Sequence, residues 1–173
     1  MIALLPLILA NPAPPMFLSH EVLAEKHLGG FESETCVVAT SEEDYETLWS
    51  MVMGMMHVIP PPPEVDFDSS FVLGIFPGER PTAGYGVEVG QVSIWYMDLI
   101  DLFVRYTGLI DPLVASGVVI EVYAREKCPE GAAAQVITCP WLLLRVKRSP
   151  YFPLDTEDQA LSVDMSLERC PGK

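Results

Sequence analysis

The chemistry open to this sequence is limited by its few histidines and by the residues around them. There are three histidines, His20, His27 and His57, and none lies in a Gly-x-Ser-x-Gly segment or a Cys/His signature. A nucleophilic Ser or Cys needs a base within hydrogen-bond reach. Since no motif supplies an acid, a base and a nucleophile together, the sequence favours a binding role over an enzyme. A hydrolase is the third alternative, and it requires a His to meet a Ser or Cys in the fold.

Two closely spaced carboxylates, Asp66 and Asp68, are the next candidates. On an extended segment they lie on one face, and together with Glu79 they offer the oxygen ligands that Ca²⁺ prefers. The segment lacks the Asp-x-Asp-x-Asp-Gly pattern of a complete calcium loop. A turn or a cap at the start of a strand is therefore the favoured interpretation.

A glycine-rich segment at 78–90 has no Gly-Lys-Ser/Thr and joins strands, so it does not fit a phosphate-binding loop. Surface loops often carry recognition, and aromatic side chains anchor interfaces. We therefore predict a contact surface formed by the loop 78–84 with the residue after it and by exposed aromatic residues. Its members are Gly78, Glu79, Arg80, Gly84, Tyr85, Trp95, Tyr96 and Tyr123. Packing of the last three aromatic residues within a sheet is the alternative.

Four cysteines occur, at positions 36, 128, 139 and 170. An even number in an exported chain suggests disulfides, and several pairings are open. Cys128 and Cys139 flank a short segment that they could close, and Cys36 would then pair with Cys170; the sequence leaves the pairing open. Four reduced thiols are the alternative if the protein is cytosolic. No Cys-x-x-Cys or Cys/His cluster has the spacing of a structural zinc site.

Residues 1–10 form an apolar run of signal-peptide length, and a proline-rich leader continues to residue 15. Two features oppose a signal peptide: no Lys or Arg precedes the run, and Ile8 is bulky for the cleavage pattern before Ala10. A buried N-terminal strand or helix is the alternative. We predict export, to the cell envelope or the medium. No other segment approaches the roughly 20 apolar residues that a transmembrane helix needs.

The net charge restricts the partners. Ten Lys and Arg residues against 24 Asp and Glu residues give a net charge of −14 over 173 residues. Such a surface repels phosphates, so nucleic acid and anionic membranes are poor partners. Solubility alone explains the negative charge and is the favoured interpretation. The more specific alternative is that the charge attracts a basic partner or cations. With 50% hydrophobic residues, the chain is not globally disordered.

One helix is predicted after Thr40. Thr40 and Glu43 form a capping box, and the acidic residues that follow Ser41 favour the positive end of a helix. Apolar residues then recur at helical spacing: Tyr45, Leu48, Trp49, Val52, Met53 and Met56. Met51, Met53, Met55 and Met56 either fill the core, which is favoured, or form an adaptable binding surface.

The rest of the chain has the patterns of strands. Phe71–Phe76 is an apolar run typical of a buried strand, and a change of phase at Gly90 predicts a bulge. Alternation over 118–125 and 142–147 is typical of antiparallel sheets with one solvated face. The order of elements predicts an α+β fold, in which one amphipathic helix packs on an antiparallel sheet, either open or curled into a barrel-like form. We predict a single domain at 20–149 and a polar tail at 150–173.

Three segments resemble the PrcB C-terminal domain family. They are Ala39–Trp49, with Leu-Trp at its end; Val65–Val89, with Asp-Phe, an apolar strand and Pro-Thr-Ala-Gly-Tyr; and Glu121–Val146, with Thr-Cys-Pro-Trp. The resemblance implies a secreted or envelope domain. It also implies an accessory role, because the family's name-giver is a non-protease subunit of a surface subtilisin-like protease complex. The sequence departs from the family in additional chain between Val89 and Glu121 and in the tail after Ser149.

These observations predict an exported, non-catalytic accessory domain without a cofactor, which binds a protein partner such as a secreted protease. A domain that binds a small ligand or Ca²⁺ at the cell envelope is the alternative.

Overall fold

A computed structural model of the protein describes residues 14–98, 116–150, 154 and 160–171. The predicted leader up to residue 13 and the additional chain at 99–115 lie outside the described residues. No helix within the described ranges is long and apolar enough to cross a bilayer. The elements are β1 (Met16–Phe17), β2 (His20–Lys26), β3 (Thr35–Ala39), α1 (Glu42–Met53), β4 (Ser70–Phe76), β5 (Gly86–Asp98), β6 (Ser116–Lys127), β7 (Trp141–Lys147) and β8 (Ala160–Glu168).

The strands form two four-stranded sheets, which confirms the predicted α+β class. Sheet A has the order β1-β5-β6-β8 and sheet B the order β2-β7-β4-β3. All neighbours are antiparallel except β6 and β8. The chain crosses between the sheets at Leu18, whose N–H donates to the Val92 carbonyl at 2.9 Å, and Ser19, whose carbonyl accepts from Lys147 N–H at 2.9 Å. The strands form two distinct sheets with no strand shared between them, so the barrel-like form is not closed.

Sheet B lies between α1 and sheet A, so its central strands are buried on both faces. Leu142, Leu144 and Val146 of β7 face the core between the sheets. Leu143 and Trp141 face α1, with Val72 and Phe76 of β4. The sequence predicts a solvated face for Leu143, but its side chain is fully buried because the helix covers that face. The apolar run of β4 is buried throughout, as predicted.

In sheet A, β5 and β6 alternate as the sequence predicts. Val118, Ile120, Val122 and Ala124 of β6 face the core, while Glu121 and Tyr123 are exposed. The register between β5 and β6 shifts between Val89 and Gln91, which confirms the bulge predicted at Gly90. The apolar residues of β5 that pack in the core have odd numbers before Gly90 and even numbers after it. The extra residue of the bulge compensates for this shift, so these side chains of both halves of the strand face the core.

Helix α1 begins one residue later than the sequence indicates. Its N-cap is Ser41, whose Oγ accepts from Asp44 N–H at 3.2 Å, rather than Thr40. The helix ends at Met53, so the apolar face does not extend to Met56. Of the methionine cluster only Met53 is buried, and the prediction that the cluster fills the core is wrong for Met51, Met55 and Met56.

The predicted polar tail contains a strand of sheet A. Ala160–Glu168 forms β8, which pairs in parallel with β6 from Gly117 to Arg125. Val163, Met165 and Leu167 of β8 pack on the core between the sheets. The weak apolar alternation of 161–167 therefore belongs to an edge strand. The strand is hard to recognise in the sequence because the residues on its other face are polar.

Candidate functional site

A cleft lies where three segments meet beside the ends of β6 and β8. One segment is the loop 79–85 before β5. The second runs from the end of β6 to residue 135, and the third is 169–171, which follows β8. We call this feature the Arg80 cleft, and its volume is about 800 Å³.

A buried ion pair between Arg80 and Glu126 forms the wall of the cleft. The alternation of β6 continues one step beyond Ala124, and this places Glu126 on the core-facing side of the strand, with a side chain 4% exposed. A buried carboxylate needs partners. The Arg80 guanidinium pairs with Oε1 of Glu126, and Cys170 N–H donates to Oε2 at 3.0 Å. Arg80 also donates to the Glu79 carbonyl at 2.7 Å, so its charge is compensated and its position is fixed.

Backbone hydrogen bonds hold the loop 79–85 against the segment after β6. Arg80 and Thr138 exchange two of them, at 2.7 and 2.9 Å. The Thr138 hydroxyl donates to the Thr82 carbonyl at 3.1 Å. Gly84 has φ +91°, and a Cβ there would lie 2.9 Å from Cβ of Pro129. Glycine at this position allows the close approach of the two loops.

A disulfide between Cys128 and Cys170 lies in the wall of the cleft, and it is not the pairing that the sequence suggests. The sequence leaves the pairing open and suggests Cys128–Cys139 with Cys36–Cys170, but Cys36 and Cys139 are free. The parallel pairing of β6 with β8 brings the residues after these two strands side by side. Cys128 and Cys170 therefore meet because of how β8 pairs with β6. Arg169, next to Cys170, pairs with Glu34 at the end of the cleft.

The free thiols and the histidines do not form a nucleophile with its base. Burial raises the pKa of the Cys36 thiol to about 12. The pKa of Cys139 is raised as well, first by burial and then by the negative charges of Glu79 and Glu32. His20 Nδ1 bonds to the Leu18 carbonyl, and His27 Nδ1 bonds to the Tyr85 carbonyl at 2.7 Å, rather than to a Ser or Cys. Thiols that stay protonated are weak nucleophiles.

The structure divides the predicted contact surface. Glu79, Arg80 and Tyr85 line the Arg80 cleft, and Gly78 and Gly84 shape the loop that carries them. Trp95, predicted to be exposed, is buried with Val119 on the other face of sheet A from the main core. The side chain of Tyr96 lies outside the described part of the chain. The exposed aromatic residue Tyr123 donates to Glu168 at 3.2 Å on the solvated face.

Asp66 caps a turn before β4. Its Oδ1 accepts from Asp68 N–H at 3.1 Å, and its Oδ2 accepts from the Ser69 hydroxyl at 2.7 Å. The Ser69 hydroxyl and then the Asp68 N–H hold the pKa of the Asp66 carboxyl below its usual value. In the described ranges no group of three or more His, Cys, Asp or Glu side chains is arranged to hold a metal ion. The turn interpretation thus accounts for the Asp66 contacts.

Sequence reasoning missed Glu126 and the pairing of Cys128 with Cys170. A signal for Glu126 was present: it follows four apolar residues at a spacing of two on the buried face of β6. A carboxylate on that face requires a cationic partner. Arg80, in the predicted loop, is that partner.

The cleft combines a neutralised ion pair with walls formed partly by Pro81, Tyr85 and Pro129. Fixed, fully paired charges are suited to recognition by shape rather than to proton transfer. The fold and the cleft together define a three-layered α+β domain with a cleft at the edge of the sandwich.

Residues 71–147 match the family described as PrcB C-terminal, and this match confirms the resemblance inferred from the motifs. The matched segment runs from β4 through β7 and includes both Arg80 and Glu126. Helix α1, with the Leu-Trp motif, and strand β8 lie outside it. Neither the curated proteins nor the solved structures contain a match to the chain.

Proposed function

We propose that this protein is an exported, non-catalytic accessory domain that binds a protein partner through the Arg80 cleft and supports the assembly or stability of a subtilisin-like protease complex. The observation that carries the proposal is an overlap. The loop 79–85 and the segment 126–135, which form most of the cleft, lie inside the segment that matches the PrcB C-terminal family.

The accessory role is supported by the chemistry of the cleft. Its central Arg80 and Glu126 neutralise each other, and the nearby Cys139 thiol is held protonated. A paired carboxylate and a protonated thiol offer neither a general base nor a nucleophile, so these side chains serve to hold the walls of the cleft in place. A partner segment would instead contact the exposed rim at Pro81, Ala132 and Gln135.

Export is supported by two independent features. The apolar run at 1–10 has the length of a signal-peptide core. The disulfide Cys128–Cys170 fits an oxidising compartment, since disulfides persist outside the cytosol.

A photo-crosslinking experiment tests the proposal. A photoreactive amino acid replaces Ala132, on the exposed rim of the cleft, or Thr47, on the exposed face of α1, in native envelope preparations. We expect an adduct with a subtilisin-like protease subunit from position 132 and none from position 47. The added change Ala132→Arg, matched by Thr47→Arg, should abolish recovery of the partner only in the cleft. Equal adducts from both positions, or none from 132, would contradict the proposal.

A small-molecule ligand is the second candidate for the same cleft, because its volume lies within the roughly 300–1,000 Å³ range of ligand sites. Under this alternative a small-molecule extract of the native compartment raises the melting temperature of the protein, and Ala132→Arg removes the shift.

A further inference from the structure

The segment Met51–His57 is unusually rich in sulfur and largely exposed. It contains four of the eight methionines of the chain, followed directly by a histidine. Met55 is 81% exposed and Met56 is 42% exposed. Packing explains Met53, which is buried under α1, but it does not explain the exposed thioethers.

Two of these thioethers meet at one cationic atom. Helix α1 ends at Met53, and a turn follows in which Met56 N–H donates to the Met53 carbonyl at 2.9 Å. Lys26, at the end of β2, places its Nζ 3.4 Å from Sδ of Met53 and 3.1 Å from Sδ of Met56. The two sulfurs therefore converge on a single point that already holds a positive charge.

The chemistry of that point favours a soft metal ion over an ammonium group. A thioether is a weak hydrogen-bond acceptor, so it gains little from Lys26. Thioethers are soft ligands that select Cu(I) among the biological metals. The lysine side chain is exposed, so its ammonium group can move into solvent. The net charge of −14 also concentrates cations near the surface.

We propose that Met53 and Met56 form a binding site for Cu(I), which the ion enters by displacing the Lys26 ammonium group. His57 follows Met56 directly and is exposed, and imidazole is a ligand type that suits copper. The site is separate from the Arg80 cleft, and it does not rest on the proposed function.

Competition with a chromophoric Cu(I) chelator tests the site in the full-length protein. Cu(I) is supplied anaerobically as its acetonitrile complex, with no thiol present, so that Cys128–Cys170 stays intact. We expect one ion to bind per chain. Met56→Leu and Met53→Leu should each weaken binding by about tenfold or more, since even the outer partners of metal ligands contribute about 10–100-fold.

Two variants make the result specific. Met51→Leu alters an exposed methionine of α1, whereas Lys26 donates to Met53 and Met56, so this change should leave the affinity unchanged. Lys26→Ala removes the competing cation and should tighten binding. Methyl NMR with Ag(I), a redox-stable soft ion, should shift the methyl signals of Met53 and Met56 and leave that of Met51 in place.

Three results would overturn the site. One is the absence of competition with the chelator. Another is an equal loss of affinity in Met51→Leu. The third is loss of binding in Cys139→Ser, which would assign the metal to a free thiol.

Discussion

At the scale of single residues, the pair Arg80–Glu126 decides the character of the cleft. Glu126 is on the buried face because of strand alternation, and Arg80 and the Cys170 amide bond to its carboxylate there. Removing one partner would leave a buried charge without compensation, whereas removing both would leave an apolar contact.

Substitutions of this pair should therefore be strongly non-additive. We expect Arg80→Met or Glu126→Leu alone to lower the free energy of unfolding by about 3–5 kcal/mol, and the double variant to recover most of the loss. Urea denaturation measures all three. Arg125→Met, which breaks the exposed pair with Glu168, is the matched control and should change stability little. A double variant as unstable as the sum of the singles would contradict the coupling.

Two weakly acidic side chains, Cys36 and Tyr45, make the fold sensitive to alkaline pH. Burial raises the pKa of Cys36 from 9.0 to about 12 and that of Tyr45 from 10.0 to about 12. Above the unfolded pKa only the unfolded chain loses these protons, so deprotonation favours unfolding.

The free energy of unfolding should accordingly be independent of these groups below pH 9 and fall between about pH 9 and 12. Each group contributes a slope of about 1.4 kcal/mol per pH unit once its unfolded form is ionised. Urea denaturation at a series of pH values measures the slope. Cys36→Ala and Tyr45→Phe should each reduce it, and an unchanged slope in both would show that other groups dominate.

At the scale of elements, strand β8 completes the cleft. It pairs with β6 in parallel, its apolar side chains pack on the core, and Cys170 follows it. A strand at the edge of a sheet has hydrogen bonds on one side, so the disulfide gives it a second attachment.

Breaking that attachment should loosen β8 selectively. The disulfide spans a sequence separation of 42 residues, so a Cys128→Ser/Cys170→Ser variant should lose up to about 4 kcal/mol through loop-closure entropy. Hydrogen exchange should accelerate in 160–168 more than in β4. Cys139→Ser, which removes a free thiol near the same cleft, is the control. Uniform acceleration across both sheets would argue against a local role.

The start of α1 offers a test of the corrected cap. Ser41 accepts from Asp44 N–H, while the backbone carbonyl of Thr40 accepts from Arg148 at 2.8 Å. Ser41→Ala should therefore cost about 1 kcal/mol of stability, and Thr40→Ala clearly less. Thermal denaturation of the two variants decides between the positions, and the reverse order would restore Thr40 as the cap.

At the scale of the whole molecule, the proposed function requires three properties at once: export, an oxidised Cys128–Cys170 pair and binding of a partner. The oxidation state of the four cysteines can be measured on the protein alone, without its binding partner. Only Cys36 and Cys139 carry thiols, and Cys128–Cys170 is oxidised.

Intact mass spectrometry of the native protein should show this pattern. We expect loss of the N-terminal leader, alkylation of two thiols after unfolding without reduction, and alkylation of four after reduction. A chain that retains residues 1–10 and has four free thiols would contradict export.

The sequence by itself determined the local features of this protein. Alternation identified the buried face of β6, the shift of phase at Gly90 identified the bulge, and the apolar run identified β4. Each depends on neighbouring residues and on the period of a helix or strand, which a short window contains. The loop 78–84 was predicted for the same reason, since its turn residues are adjacent.

Only the tertiary structure decided which distant residues meet. The partner of Cys128 depends on β8 lying parallel to β6, and the burial of Leu143 depends on α1 covering sheet B. Trp95 follows the alternation of β5 onto the face opposite the core, but its burial there is not a property of the pattern. The pairing of Arg80 with Glu126 has the same origin. It joins residues 46 positions apart, and no local period encodes a contact between a loop and a strand so distant in sequence.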